Sequence, residues 1–116
     1  MLSPKDADLD YCYLTTTGRT SGEPREIEIW FGADGGRLYL LSGGRDRSHW
    51  VRNIKVEPRV TVRLGSETYP ATARLVEAGT EEDAQARRRL LEKYSPRYSG
   101  DLTDWGRTAL PVALDL

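Results

Sequence analysis

With 116 residues the chain has the length of one domain and no room for a second of ordinary size. Its 17 Lys and Arg against 18 Asp and Glu leave a net charge of -1, which excludes a protein that coats polyanions at large, so any anion site must be local. Hydrophobic residues at 38% and charged ones at 30% exclude a disordered segment but predict a thin core, to which a second copy or a bound ligand would add stability.

Residues 1–10 carry Asp6, Asp8 and Asp10 and show neither the basic start nor the apolar run of a secretory leader. They read as a short extension ahead of a single domain over residues 11–116. Cys12 is the only cysteine, which excludes an intrachain disulfide and suits a reducing compartment; no apolar run is long enough for a bilayer, so a cytoplasmic protein without a membrane span is expected. Residues 11–17 are rich in aromatic and β-branched types and predict a first strand. Residues 25–31 predict a second, with Ile27, Ile29 and Phe31 on one face and Glu26, Glu28 and Trp30 on the other. Gly18 to Pro24 between them is turn chemistry, and Asp34-Gly35-Gly36 turns the chain into a third strand over residues 37–42, a plausible meander. Residues 46–54 then predict a short helix with Trp50, Val51 and Ile54 on one side, stopped by Pro58. Strands follow over residues 59–64 and about 68–77, the latter with Pro70 near its start or at an edge. Thr80 ahead of Glu81, Glu82 and Asp83 predicts a capped helix with Ala84, Leu90, Leu91 and Tyr94 as its apolar stripe and Asp83 with Arg87 as an i,i+4 pair. Residues 108–114 predict a last strand, edge-like because of Pro111. About six strands and two helices do not alternate regularly enough for a doubly wound sheet; the pattern predicts a mainly β domain, a small antiparallel β-barrel with attached helices.

Three segments bear chemistry. In Thr15 to Gly22, two glycines expose amides, hydroxyls donate, and Arg19 can fork onto a phosphate or carboxylate, although a solvated hairpin turn is the commoner use of such a segment. It is neither a P-loop nor a dinucleotide turn. In Ser42 to Asn53, the glycine pair lets a flat ligand approach main chain, Trp50 could stack, and Arg52 and Asn53 offer donors; equally, Trp50 could anchor the core and Asn53 cap a turn. Residues 45–63 hold six basic side chains against two acids, a local charge of +4 suited to a ligand with several negative groups or simply to a solvated surface. Tyr94, Tyr98 and Trp105 could wall an apolar pocket, supply a proton, or pack under a loop. Glu26 and Glu28 lie roughly 7 Å apart on one strand face, where solvated glutamates are far commoner than a catalytic pair. A single histidine, His49, gives little basis for a metal site or a hydrolase triad.

The run Tyr13-Leu14-Thr15-Thr16-Thr17-Gly18-Arg19-x-Ser21-Gly22-x-Pro24-Arg25, followed by Asp34-Gly35-Gly36-Arg37, Ser42-Gly43-Gly44, Trp50-x-x-Asn53, Pro58-x-Val60-x-Val62 and Trp105-x-Arg107-Thr108-x-x-Pro111, resembles the deazaflavin-dependent nitroreductase family in order and approximate spacing over nearly the whole chain from Tyr11. The resemblance implies a split β-barrel of the FMN-binding, pyridoxamine-phosphate-oxidase-like type, usually a homodimer, that binds coenzyme F420, with FMN as the alternative cofactor. Carried over position by position, it implies Arg19, Thr20 and Ser21 at the cofactor's phosphate and Arg25, Glu26, Ile27, Glu28, Ile29 and Trp30 along the next part of the groove. Leu41, Ser42 and Gly43, with the helical turn His49, Trp50, Val51, Arg52 and Asn53, would present main chain to the ring, and Tyr98 would face the substrate as the catalytic residue. Many relatives have Lys where this chain has Thr20, a charge that Arg45 or Arg47 would replace. The implied activity is hydride transfer from reduced F420 to a small, flat electrophile such as a quinone, enone or nitroaromatic. Its rivals are an FMN-dependent reductase, a non-catalytic deazaflavin carrier, and a groove for single-stranded nucleic acid, against which the near-neutral charge counts.

Overall fold

The computed structural model describes residues 2–116. Its elements are α1 (Pro4–Ala7), β1 (Cys12–Thr17), β2 (Pro24–Ile29), β3 (Gly32–Asp34), β4 (Arg37–Ser42), a 3-10 turn (Arg45–Arg47), α2 (His49–Val56), β5 (Arg59–Leu64), β6 (Glu67–Leu75), α3 (Glu81–Tyr94), α4 (Thr103–Thr108) and β7 (Leu110–Asp115). The strands form one antiparallel sheet in the order β2-β1-β5-β6-β7-β4-β3. Its two outermost strands, β2 and β3, are consecutive in the chain and separated only by Trp30 and Phe31. Two residues cannot span an open seven-stranded sheet, so the sheet must curl until its ends meet.

Alternation explains the inside of the curl. Cys12, Leu14 and Thr16 of β1 and Val60, Val62 and Leu64 of β5 point inward with Phe31, Leu38, Leu40, Val112 and Leu114. β4 does not alternate, because both its faces are covered: Tyr39 and Leu41 pack outward, with Ala113 of β7, against Ala86, Leu90 and Tyr94 of α3. Thr80 caps α3 by accepting the Asp83 amide at 3.1 Å, and Asp83 holds Arg87 at 3.0 Å.

Several expectations need correction. There is no three-strand meander: the Asp34-Gly35-Gly36 turn joins β4 to the separate short strand β3, and β4 pairs with β3 and β7, leaving β2 at the other end of the sheet. Among the described residues the strands therefore number seven where about six are expected, and the chain breaks between β2 and β3 where the buried Phe31 amide leaves the ladder to donate to the Tyr94 hydroxyl at 3.0 Å. The last strand is interior, between β6 and β4, and Thr108 belongs to α4 instead. Pro111 is tolerated because it is only the second residue of β7, ahead of the ladder to β6 that starts at Val112, and its carbonyl is still used by the Val76 amide at 3.0 Å. Pro70 sits opposite Thr61 of β5 where β7 has not yet joined the other side. On α3, Ala84 is exposed; the buried row is Ala86, Leu90 and Tyr94, four residues apart each time, and Leu91 turns toward Gly106 of α4.

Candidate active site

Two clefts lie along β2. The first, of about 380 Å³, is basic and is built on the β1–β2 hairpin and the first turn of α2; it gathers Arg19, Thr20, Ser21, Arg25, Ile27, His49, Trp50 and Asn53 with Thr16 and Gly18. The hairpin loop folds on itself through Gly18 N–H to Glu23 C=O at 2.8 Å and Gly22 N–H to Gly18 C=O at 2.8 Å, with Gly22 at φ 73°. At Gly18 a Cβ would come within 2.6 Å of Ser21 Oγ and 3.2 Å of the Glu23 carbonyl oxygen, so a side chain there would push the Ser21 hydroxyl from its place in the loop. Asn53, only 4% exposed, fastens the loop to α2: its Oδ1 accepts from the Arg19 backbone amide at 3.2 Å and from Arg19 Nη1 at 2.9 Å, while its Nδ2 donates to Thr16 Oγ1 at 3.0 Å. Arg19 Nη2 lies 3.1 Å from His49 Nδ1, and because a guanidinium only donates, Nδ1 is the acceptor there. Ser21 Oγ receives the Glu23 amide at 3.2 Å and Arg25 Nη2 at 3.4 Å. The lining holds two guanidinium groups and no carboxylate.

The second cleft, of about 510 Å³, is aromatic, and its walls come from widely separated segments: Tyr11, then Glu28, Ile29 and Trp30, then Leu41, then Tyr98, Asp101, Leu102 and Trp105. Trp30 is its keystone. Its ring stacks on Tyr94 at 4.2 Å and 3°, and meets Trp105 at 5.5 Å and Tyr98 at 5.7 Å edge-on. Tyr94 is fixed in turn by its hydroxyl, which takes the Phe31 amide and donates to the Asp10 carbonyl at 2.9 Å; burial pushes that phenol well above its ordinary range. Beside it Lys93 Nζ donates to the Phe31 carbonyl at 3.0 Å and the Ala7 carbonyl at 3.2 Å, and burial lowers this ammonium to about 8. Asp101 accepts from the Thr103 amide at 2.9 Å and hydroxyl at 2.6 Å, which keeps its carboxyl below the usual range.

Most of the expected site residues therefore converge, but not into one place. Tyr98 and Leu41 stand in the aromatic cleft with Glu28, Ile29 and Trp30, and Gly43 is exposed beside Trp105. Ser42 is buried, its hydroxyl spent on the Arg45 carbonyl at 2.9 Å and on Ser48 Oγ at 2.8 Å. Val51 is a core side chain with no exposed surface; Arg52 points out of α2 with Nε 3.3 Å from the Asp46 carbonyl; Glu26 faces Arg63 at 3.9 Å. These three lie outside both clefts: on α2 the turn that brings His49, Trp50 and Asn53 to the groove sends Val51 inward and Arg52 outward, and on β2 Glu26 is turned to Arg63. The basic residues of 45–63 do not converge either: Arg59 is spent on Glu57 at 2.7 Å, Lys55 lies 3.9 Å from Asp46, Arg63 covers the Tyr13 ring at 4.2 Å, and Arg45 donates to the Thr108 carbonyl. Arg25, not Arg45 or Arg47, is the second cation of the basic cleft. Tyr11, Asp101 and Leu102 carry no local signal that would have singled them out.

A family model described as F420H(2)-dependent quinone reductase matches residues 6–116. The chain belongs to that family. An F420H(2)-dependent quinone reductase of Mycobacterium tuberculosis is 28% identical over 102 residues, 85% of this chain and 66% of the relative, so the chain spans just under two thirds of that protein's length. A solved F420-H2 dependent reductase, FDR-A, superposes with a TM-score of 0.72 at 25% identity, covering 90% of this chain and 93% of its own. A second solved chain, described as a domain-swapped dimer, gives 0.72 and 25% over 90% of this chain and 79% of its own. The fold is thus the split β-barrel of the F420-dependent reductases, and the cofactor that family membership implies is coenzyme F420. The residues present fit it. Guanidinium groups, hydroxyls and loop amides suit a phosphate at one end of β2, and an aromatic wall suits a flat ring at the other.

Proposed function

We propose that this chain is an F420H2-dependent reductase that passes a hydride from the reduced deazaflavin to a small, flat, electrophilic organic acceptor, with quinones, enones and nitroaromatics as the class, and that it works in the cytosol as a homodimer. The observation that carries the reading is the pairing of a basic and an aromatic cleft along one strand of a barrel of this family. The deazaflavin supplies the hydride when bound, so the protein's part is to hold, orient and keep dry. Arg19 and Arg25 with the Thr20 and Ser21 hydroxyls take the phosphate, and Asn53 and His49 keep Arg19 from swinging into solvent. Trp30, Trp105 and Leu41 exclude water from the ring's surroundings. Tyr98, 48% exposed at the rim, places its phenol where it can deliver the proton that completes reduction of the acceptor.

Titration of the purified protein with F420 and, separately, with FMN tests the cofactor. Tight FMN binding with none for F420 overturns the reading, and F420 binding without turnover of any acceptor in a quinone, enone and nitroaromatic panel makes the chain a carrier. Arg19→Ala should weaken F420 binding by about 10- to 100-fold while the protein stays folded, the value of charge-assisted bonds to phosphate. An unchanged affinity would remove the phosphate assignment. The homodimer is supported by the domain-swapped dimer among the similar structures, and light scattering checks it: a particle of 13.1 kDa sinks it.

A further inference from the structure

We propose that the aromatic cleft selects its acceptor by charge, taking flat aromatic cations ahead of neutral molecules of the same shape and turning anions away, with Glu28 and Asp101 as the residues that set the preference. The inference rests on the proposed function only in treating this cleft as the place where the acceptor lies.

The lining combines four aromatic rings, Tyr11, Trp30, Tyr98 and Trp105, with two carboxylates and contains no Lys, Arg or His. Ring faces attract cations through their quadrupole, and rings arranged around a space do so together. Neither carboxylate is neutralised by a cation among the described residues. Glu28 meets only the Tyr13 hydroxyl at 3.4 Å, and Asp101 is held by the neutral Thr103 donors. The cations nearest Asp101 in the chain are already spent, Arg97 on Asp10 at 2.6 Å and Arg107 on Asp104 at 2.9 Å, and Arg25, nearest Glu28 in the chain, lies in the basic cleft. A carboxylate or sulfonate on the acceptor would therefore enter a cleft with two negative charges and no donor cation, an arrangement that rejects as well as attracts. The neighbouring basic cleft has the reverse composition, so the preference is local to this end of the groove.

Three bicyclic probes of near-equal shape test it: 1-methylquinolinium, neutral quinoline at pH 8, and quinoline-4-carboxylate, titrated into the full chain with and without F420. The indole N–H signals of Trp30 and Trp105 report the aromatic cleft by NMR, and Trp50, in the basic cleft, is the internal reference. The expected result is that the cation shifts Trp30 and Trp105 but not Trp50, binds at least about fivefold tighter than the neutral probe, and that the anion binds weakest. The cation-to-neutral ratio should fall toward one in Glu28→Gln with Asp101→Asn, and should shrink in the native protein as salt is raised. Equal affinity for all three probes, absence of binding by the cation, a response confined to Trp50, or a preference that survives both the double substitution and high salt each overturns the proposal. F420 binding is read on the same samples from the deazaflavin's own fluorescence. Charge preference without F420 binding would defeat the proposed function alone, and F420 binding without charge preference would defeat this inference alone.

Discussion

The basic and aromatic clefts share a strand and differ in how they are held. The basic cleft hangs on directional bonds: one buried side-chain amide, Asn53, ties the six-residue loop to α2 through two bonds from Arg19 and holds Thr16 of β1 through a third, and little apolar packing supports the loop itself. The aromatic cleft hangs on packing, with Trp30 clamped between Tyr94, Trp105 and Tyr98 and the whole set leaning on α3 and α4. A bonded loop can open by breaking a few contacts, whereas a packed wall moves only if its neighbours move. On the proposed function, anion capture would fall to the adaptable half and ring orientation to the rigid half.

Removing Trp30 should break that division most severely. Trp30→Ala deletes the stack and both edge contacts of a half-buried ring, which should cost about 2–4 kcal/mol in chemical denaturation and abolish probe binding at Trp105. The Trp50 indole signal should stay in place; if it moves as far as that of Trp105, the clefts are one mechanical unit.

The bonded half is broken through Asn53. Asn53→Ala leaves Thr16 Oγ1 and the Arg19 amide without their partner in a buried setting, worth about 1–3 kcal/mol of stability. F420 affinity should fall by about tenfold as Arg19 loses its orientation, while the aromatic-cleft probes bind as before. A loss of stability with full cofactor affinity would mean that Arg19 needs no such tether.

The same contrast explains what could be read without coordinates. Residues of the basic cleft cluster in two short runs, Thr16 to Ile27 and His49 to Asn53, so their glycines, hydroxyls and cations were legible together, as were the alternating strands β1, β2 and β5 and the Thr80 cap. The aromatic cleft draws on four separated stretches, and nothing local in Tyr11 or Asp101 marks them as neighbours. β3 is three residues long and α4 six, too short for a hydrophobic period to show. The resemblance takes in Val51 and Arg52 with the whole turn His49 to Asn53, and because a helix turns each neighbour by about 100°, the side chain of one lies in the core and that of the other in solvent.

Acid should strain neither cleft first. Away from both, Glu82 accepts from Arg74 at 2.7 Å and from the Tyr39 hydroxyl at 3.0 Å, and Asp115 lies 2.6 Å from Arg37 and 2.8 Å from Arg74. These bonds, the Arg74 bond first, hold Glu82 down to about 2 and Asp115 below its usual range. Folding lowers these values, so the network's stabilisation is fully present above the unfolded carboxylate range, near 4.5 for Glu82, and is lost as pH falls toward 2. The partly exposed arginines screen the interaction, so urea denaturation should show about 1–3 kcal/mol disappearing across that window, and Glu82→Gln should flatten the dependence. An unflattened profile would assign the acid sensitivity elsewhere.

The smallest effect tests whether α3 supports the packed half as a rigid body. Thr80→Ala removes the bond to the Asp83 amide at the start of the helix and should cost about 0.5–2 kcal/mol of global stability. Tyr94 is the last residue of the same helix, and its hydroxyl fixes the Phe31 backbone beside Trp30. If the helix is held along its length by Ala86, Leu90 and Tyr94, fraying at the far end stops before it reaches the cleft, because each buried side chain must leave its socket for the next turn to loosen. Probe binding at Trp30 and Trp105 should then be unchanged in Thr80→Ala, and the Tyr94 to Trp30 stack should keep its ring-current shifts. Weakened probe binding would show instead that the aromatic cleft borrows its rigidity from the helix cap, and that packing and hydrogen bonding are not divided between the two halves of the groove after all.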